Sequence, residues 1–198
     1  MRKRITIGFI STCLALAMAS SAKTETSVLQ SPKAASGYSP LSPAPVGVAV
    51  ADIIGCGRGY NSHETYDIKI TLLEVLRGKE ASEHIKMANT ANQPPDAGFE
   101  YILARIRFEY FARGSPGDCA YELMGEQFTA VSSDGKEYTR PSLVLPKPEL
   151  SGTLNSGDSL EGWVGFQVAQ SDKKPLMSFT ADPGGVVTHG GGVWFQLE

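Results

Sequence analysis

Between Tyr101 and Phe111 the chain reads YILARIRFEYF, with Ile102, Ala104, Ile106, Phe108 and Tyr110 at every second position and Arg105, Arg107 and Glu109 between them. A two-residue period sends successive side chains to opposite faces of an extended chain. This segment is therefore predicted to be a half-buried antiparallel strand with one apolar face. YDIKITLLEVL (66–76) obeys the same rule through Tyr66, Ile68, Ile70 and Leu72, after which Leu73, Val75 and Leu76 shift the phase. A β-bulge near Leu72-Leu73 accounts for the shift.

Further strands are expected over 46–54, 126–132, 136–145, 160–168, 175–181 and 192–197. Asp134-Gly135 fits a tight hairpin turn, where glycine accepts a positive φ. GKEASEHIKMAN (78–89) carries the helical spacing, through Ala81, Ile85 and Ala88. Many short strands separated by Gly and Pro turns predict an all-β fold, an immunoglobulin-like antiparallel β-sandwich with one short helix and a flexible N-terminal leader.

Residues 1–22 read as a secretory signal peptide: Arg2, Lys3 and Arg4 precede an apolar run from Ile5 to Ala19 that closes on small residues. That run is shorter than the roughly 20 residues a spanning helix needs, so no transmembrane anchor is expected after cleavage. Cys13 has a loose lipoprotein-like context but would leave too short an apolar region, and it is read as a discarded signal residue. Residues 23–45, rich in Ser, Pro, Ala and Thr, are expected to form a flexible leader, and 46–198 the sandwich domain. Removing Arg2, Lys3 and Arg4 takes the formal net charge from −3 to −6. Without a basic cluster the mature chain has no footprint for nucleic acid.

Two cysteines then remain, Cys56 and Cys119, and an oxidising compartment favours a disulfide between them. Two free thiols are the alternative. No cofactor or metal is expected, because His63, His84 and His189 lack the close spacing of ligand pairs. GCGRG (55–59) is similar to a phosphate-binding loop but lacks its Gly-Lys-Ser/Thr ending.

Gly157-Asp158-Ser159-Leu160 spells the name of a serine-esterase family, yet no Asp-x-x-His occurs, and His189-Gly190-Gly191-Gly192 has no Gly-x-Ser-x-Gly elbow beside it. A turn before a strand accounts for more residues: Leu160, Gly162, Val164, Phe166 and Val168 alternate with Glu161, Trp163, Gly165 and Gln167. Ser159 then opens that strand. Trp163 and Trp194 on outward faces beside tyrosines would make an aromatic contact patch, and burial under the leader or a neighbouring strand is a reading of at least equal weight. The contact surface is expected to include Trp163, Tyr66 or Tyr101, or the end loops near Arg58 and His189.

ANTANQPPDAGFEYILARIRFEY (88–110), FTAVSSDGKEY (128–138) and LNSGDSLEGWVGFQV (154–168), in this order, resemble the telokin-like immunoglobulin-fold domains of exported bacterial proteins. The resemblance covers roughly residues 64–181. It implies a sandwich, an extracytoplasmic address and no catalytic residue. The cysteine pair, the DPGGVVTHGGG segment and the absence of a convincing lipidation cysteine depart from it. The expectation is an exported binding or accessory module whose partner is another envelope or extracellular protein, with no catalysis. A serine esterase using Ser159 and a small-ligand or metal carrier are the alternatives.

Overall fold

The computed structural model describes residues 36–56, 64–113, 119–181 and 192–198. Strand β3 (Phe99–Ala112) lies between β2 (Glu64–Arg77) and β7 (Ser159–Ala169), and β1 (Ala49–Cys56) completes an antiparallel sheet of order β1-β2-β3-β7. A second antiparallel sheet of order β5-β8-β9 comprises Phe128–Val131, Leu176–Phe179 and Val193–Gln196. Strands β4 (Tyr121–Leu123) and β6 (Gly152–Leu154) form a short ribbon. The helix α1 spans Lys79–Ala88. The protein is an all-β antiparallel sandwich with one short helix.

Alternation along β3 becomes two different surfaces. Ile102, Ala104, Ile106, Phe108 and Tyr110 are fully buried, and they meet Ile68, Ile70 and Leu72 of β2, Val164 and Phe166 of β7, and Phe128, Phe179 and Phe195 of the facing sheet. The register of β2 on β3 slips between Leu72 and Glu74, where the sequence changes phase.

On the outer face of the larger sheet, Leu76, Tyr101, Leu103 and Trp163 join Ala81 and Ile85 of α1 in a second buried cluster, with Leu143 and Leu145 packed against it. The remainder of that face is a ladder of cross-strand ion pairs, Lys69 with Glu109 at 2.7 Å and both Arg105 and Arg107 with Glu161.

Three expectations are corrected. Residues 136–145 make a single β-bridge, Glu137 to Val131, and then a strap over the outer face. Pro141 has no N–H to give to a ladder, and Leu143 and Leu145 alternate because they pack on Trp163 and Leu103 rather than in a sheet. The strands β4 and β6 were not expected; three residues are too few to display a period. Residues 36–45, placed in the leader by their composition, are described and hydrogen-bonded to the sandwich. Ala44 is buried and bridges Phe195, donating to the Trp194 carbonyl at 2.8 Å and accepting from Gln196 N–H at 2.9 Å. Gly37, at φ +99°, lies where an added Cβ would stand 2.4 Å from Val50 Cγ2. Main-chain bonding holds this stretch despite its lack of large apolar side chains.

Candidate functional site

Of the aromatic residues expected in the contact surface, all three are interior. Tyr66 is 0 %, Tyr101 3 % and Trp163 8 % exposed, which corrects the patch in favour of burial. The inward face of β2 takes Tyr66 into a stack with Tyr110, ring centroids 4.4 Å apart, and Tyr110 stacks in turn on Tyr121 at 5.5 Å. Buried tyrosine hydroxyls need partners. Tyr66 Oη donates to Glu64 and receives the Cys119 N–H, Tyr110 Oη donates to the Cys119 carbonyl, and Tyr121 Oη donates to the Ala181 carbonyl. Burial drives the Tyr66 and Tyr110 phenols above their ordinary pKa, so both stay neutral donors. On the outer face Tyr101 Oη donates to the Gln93 carbonyl.

Ser159 is the exposed first residue of β7, opposite Glu109. Gly157 N–H donates to the Tyr110 carbonyl and Asp158 carboxylate receives the Asn155 N–H, which forms the turn ahead of it. His84 is half-buried on α1. Arg58, His63 and His189, and the side chain of Cys56, lie outside the described residues. Among the described residues no group of three His, Cys, Asp or Glu could hold a metal ion.

The two asparagines of ANTANQPP (88–95) have a structural account. Asn89 ends α1, its N–H bonded to the Ile85 carbonyl, and its Oδ1 receives Ala91 N–H. Asn92 Nδ2 donates to the carbonyls of Ile85 and Val144, each at 2.8 Å, and its Oδ1 receives the Val144 N–H. Asn92 thus latches the strap to the helix. A cavity of about 430 Å³ opens between α1 and the following loop, lined by Ile85, Pro94, Pro95 and Tyr101 with Lys79 and Lys86 at its rim.

A second depression lies between the hairpin that leaves β5 and the last residues of β7. It consists of spaces of about 400 Å³ and 200 Å³ that share Glu137, Tyr138, Thr139 and Gln167. Arg140 forms an inner wall. Its guanidinium stands over the Phe166 ring, 5.6 Å from the centroid, and donates to the carbonyls of Gly125 and Phe128. Burial lowers its pKa, with Glu126 acting the other way.

Tyr138, which lines the groove, reaches Asp172, whose carboxylate receives Tyr138 Oη at 2.9 Å and the N–H groups of Ser133 and Lys174, each at 3.1 Å. Burial alone would raise its pKa, but these three donors outweigh it and hold the carboxyl below the usual range. A depressed carboxyl contributes stability that is present above the unfolded pKa, near 3.9, and is lost as pH falls through the folded value. Asp172→Asn is therefore expected to cost about 2 kcal/mol at neutral pH, since an amide cannot accept three bonds. The difference should shrink below about pH 4, as read by denaturant melts across the acid range.

Sequence reasoning missed Arg140, Asp172 and the latch role of Asn92. Most of their partners are main-chain groups brought together by the strap and the turns, and main-chain partners leave no mark on residue type.

No protein-family model matches the chain, and no curated protein does. Two solved structures are similar, both from Bacillus subtilis. One is ycdA, a proposed lipoprotein, at 12 % identity and TM-score 0.48, covering 66 % of this chain and 36 % of that one. The other is the yjhA protein, at 11 % identity and TM-score 0.42, covering 69 % and 79 %. The chain thus spans about a third of the length of the first. No helix among the described residues is long and apolar enough to cross a membrane.

Proposed function

We propose that this chain is an exported immunoglobulin-like binding or accessory module of the bacterial cell envelope, of the telokin-like type, acting through its surface rather than by catalysis. The observation that carries this reading is the disposition of its polar aromatic and charged groups. Tyr66, Tyr110, Tyr121, Arg140 and Asp172 each hold main-chain or neighbouring groups of the fold, so they serve the scaffold, while the surface offers grooves. Sandwich scaffolds support contacts made at edges and loops. The signal-like residues 1–22 support export.

A disulfide between Cys56 and Cys119 belongs to the same reading. Cys119 is bonded to Tyr66, and Tyr66 faces Ile54 on β1, two residues before Cys56. The function is tested by capture of partners from envelope extract with tagged mature protein. A discrete partner retained after a salt wash is the expected result. Absence of any partner, together with turnover of a small activated ester lost in Ser159→Ala, would replace this reading by the esterase.

A further inference from the structure

Two sheets in a sandwich have four outer edges, and bare edges invite another strand. This chain covers much of its own edge length. Residues 37–44 lie along β9, with Trp194 N–H bonded to the Gly37 carbonyl and Gln196 N–H to that of Ala44. On β1, Tyr38 Oη donates to the Ala51 carbonyl and Asp52 Oδ1 takes the Ile53 N–H. On β7, Trp163 N–H donates to the Pro148 carbonyl and its own carbonyl receives Leu150 N–H. The hairpin 132–138 folds back on β5 through Ser132 N–H to the Lys136 carbonyl and Tyr138 N–H to that of Ala130.

The last two arrangements decide which main-chain groups face outward. Bonds flanking Glu137 leave its own N–H and C=O directed away from β5. Trp163 directs its N–H and C=O away from β3, so Gln167, four residues on in the same strand, does the same. The main-chain groups of Glu137 and Thr139 take no hydrogen bond among the described residues. All three residues line both spaces of the groove beside Arg140. The gap is crossed by a side chain, Tyr138, which reaches Asp172 and the backbone of Ala169.

The charge at the mouth is selective. Asp134 is neutralised by Lys136 at 2.9 Å, and Arg140 is turned inward onto carbonyls. Glu137 and Asp96 have no ion-pair partner among the described residues, the Asp96 carboxylate accepting only the neutral Gln167 Nε2 donor at 2.7 Å.

We propose that an extended, basic segment of another polypeptide docks in this groove by adding a strand along Glu137–Thr139, its main chain bonding those residues and Gln167 and its cations facing Asp96 and Glu137. Main-chain pairing would supply affinity and the carboxylates the choice of sequence. This inference rests on the binding-module reading and names its site and partner chemistry.

The test is residue-resolved amide hydrogen exchange of the mature protein with a soluble synthetic peptide of alternating lysine and valine, and with its glutamate-valine counterpart. The lysine peptide is expected to slow exchange at Glu137, Thr139 and Gln167 by about tenfold or more, and the glutamate peptide to leave it unchanged. Glu137→Lys, an exposed change, should reverse the preference. Thr139→Pro, which deletes one donor, should abolish protection while spectral dispersion persists.

Protection at other amides only would overturn this site and leave the binding-module reading standing. No protection by either peptide, or equal protection by both, would overturn the proposal even if the envelope capture yields a partner.

Discussion

With the proposed Cys56–Cys119 disulfide, reducing the mature protein, or replacing Cys119 by serine, is expected to lower its unfolding free energy by about 4 kcal/mol, the loop-closure entropy of a ring of some 60 residues. The Cys119 backbone is already fixed by Tyr66 and Tyr110, whose stacked rings join β2 to β3. A covalent link from there to the end of β1 would tie an edge strand to the segment after β3. Without it, β1 keeps only one neighbour in its sheet, β2. Denaturant midpoints with and without reductant measure the loss. Thiol alkylation of the unfolded, unreduced chain should modify neither cysteine, and modification of both without reductant would refute the pairing.

Gly162→Ala is expected to cost about 3 kcal/mol, the upper part of the usual overpacking range. Where β7 meets the strap, an added Cβ would stand 2.5 Å from the Leu150 nitrogen and 2.6 Å from the Glu149 carbonyl carbon. Those are backbone atoms, held by the Trp163 N–H bond to Pro148 and the Leu150 N–H bond to Trp163. Neither can turn aside without breaking a ladder, and Leu150 is itself buried in the core. Gly165→Ala provides the contrast. There the nearest atom, at 2.6 Å, is Leu145 Cδ2, the far end of a flexible side chain. Its expected cost is about 1 kcal/mol, because a rotamer change relieves the contact. Equal melting of the two variants would mean that the strap does not lie against β7 as described.

What was legible in the sequence follows from how each feature is encoded. The strands β2, β3 and β7 are long enough to show a two-residue period, and the bulge in β2 announced itself as a phase shift at Leu72-Leu73. The helix was legible because Ala81 and Ile85 recur at helical spacing. The same alternation assigned Trp163 to the face opposite the main core but could not say that α1 and the strap would cover that face. Solvent exposure is a property of what packs on a strand, and Leu143 and Leu145 declare that only in three dimensions. The stretch 37–44 misled for a related reason. Its composition promises little apolar burial, whereas its order comes from main-chain bonds to β9 and from the missing side chain of Gly37. The groove at Glu137 and Gln167 was invisible because its distinguishing groups are peptide N–H and C=O, common to every residue.

Central to this account is a chain that covers much of its own sheet edge length and leaves the groove at Glu137, Thr139 and Gln167 open. Residue-resolved hydrogen exchange on the free mature protein tests it most directly. Slow exchange is predicted at Ala44, Trp194 and Gln196, which donate across the β9 edge, alongside the slowest amides in β2 and β3, and fast exchange at Glu137, Thr139 and Gln167. Rapid exchange at the first three, or strong protection at the last three in the absence of any partner, would contradict it.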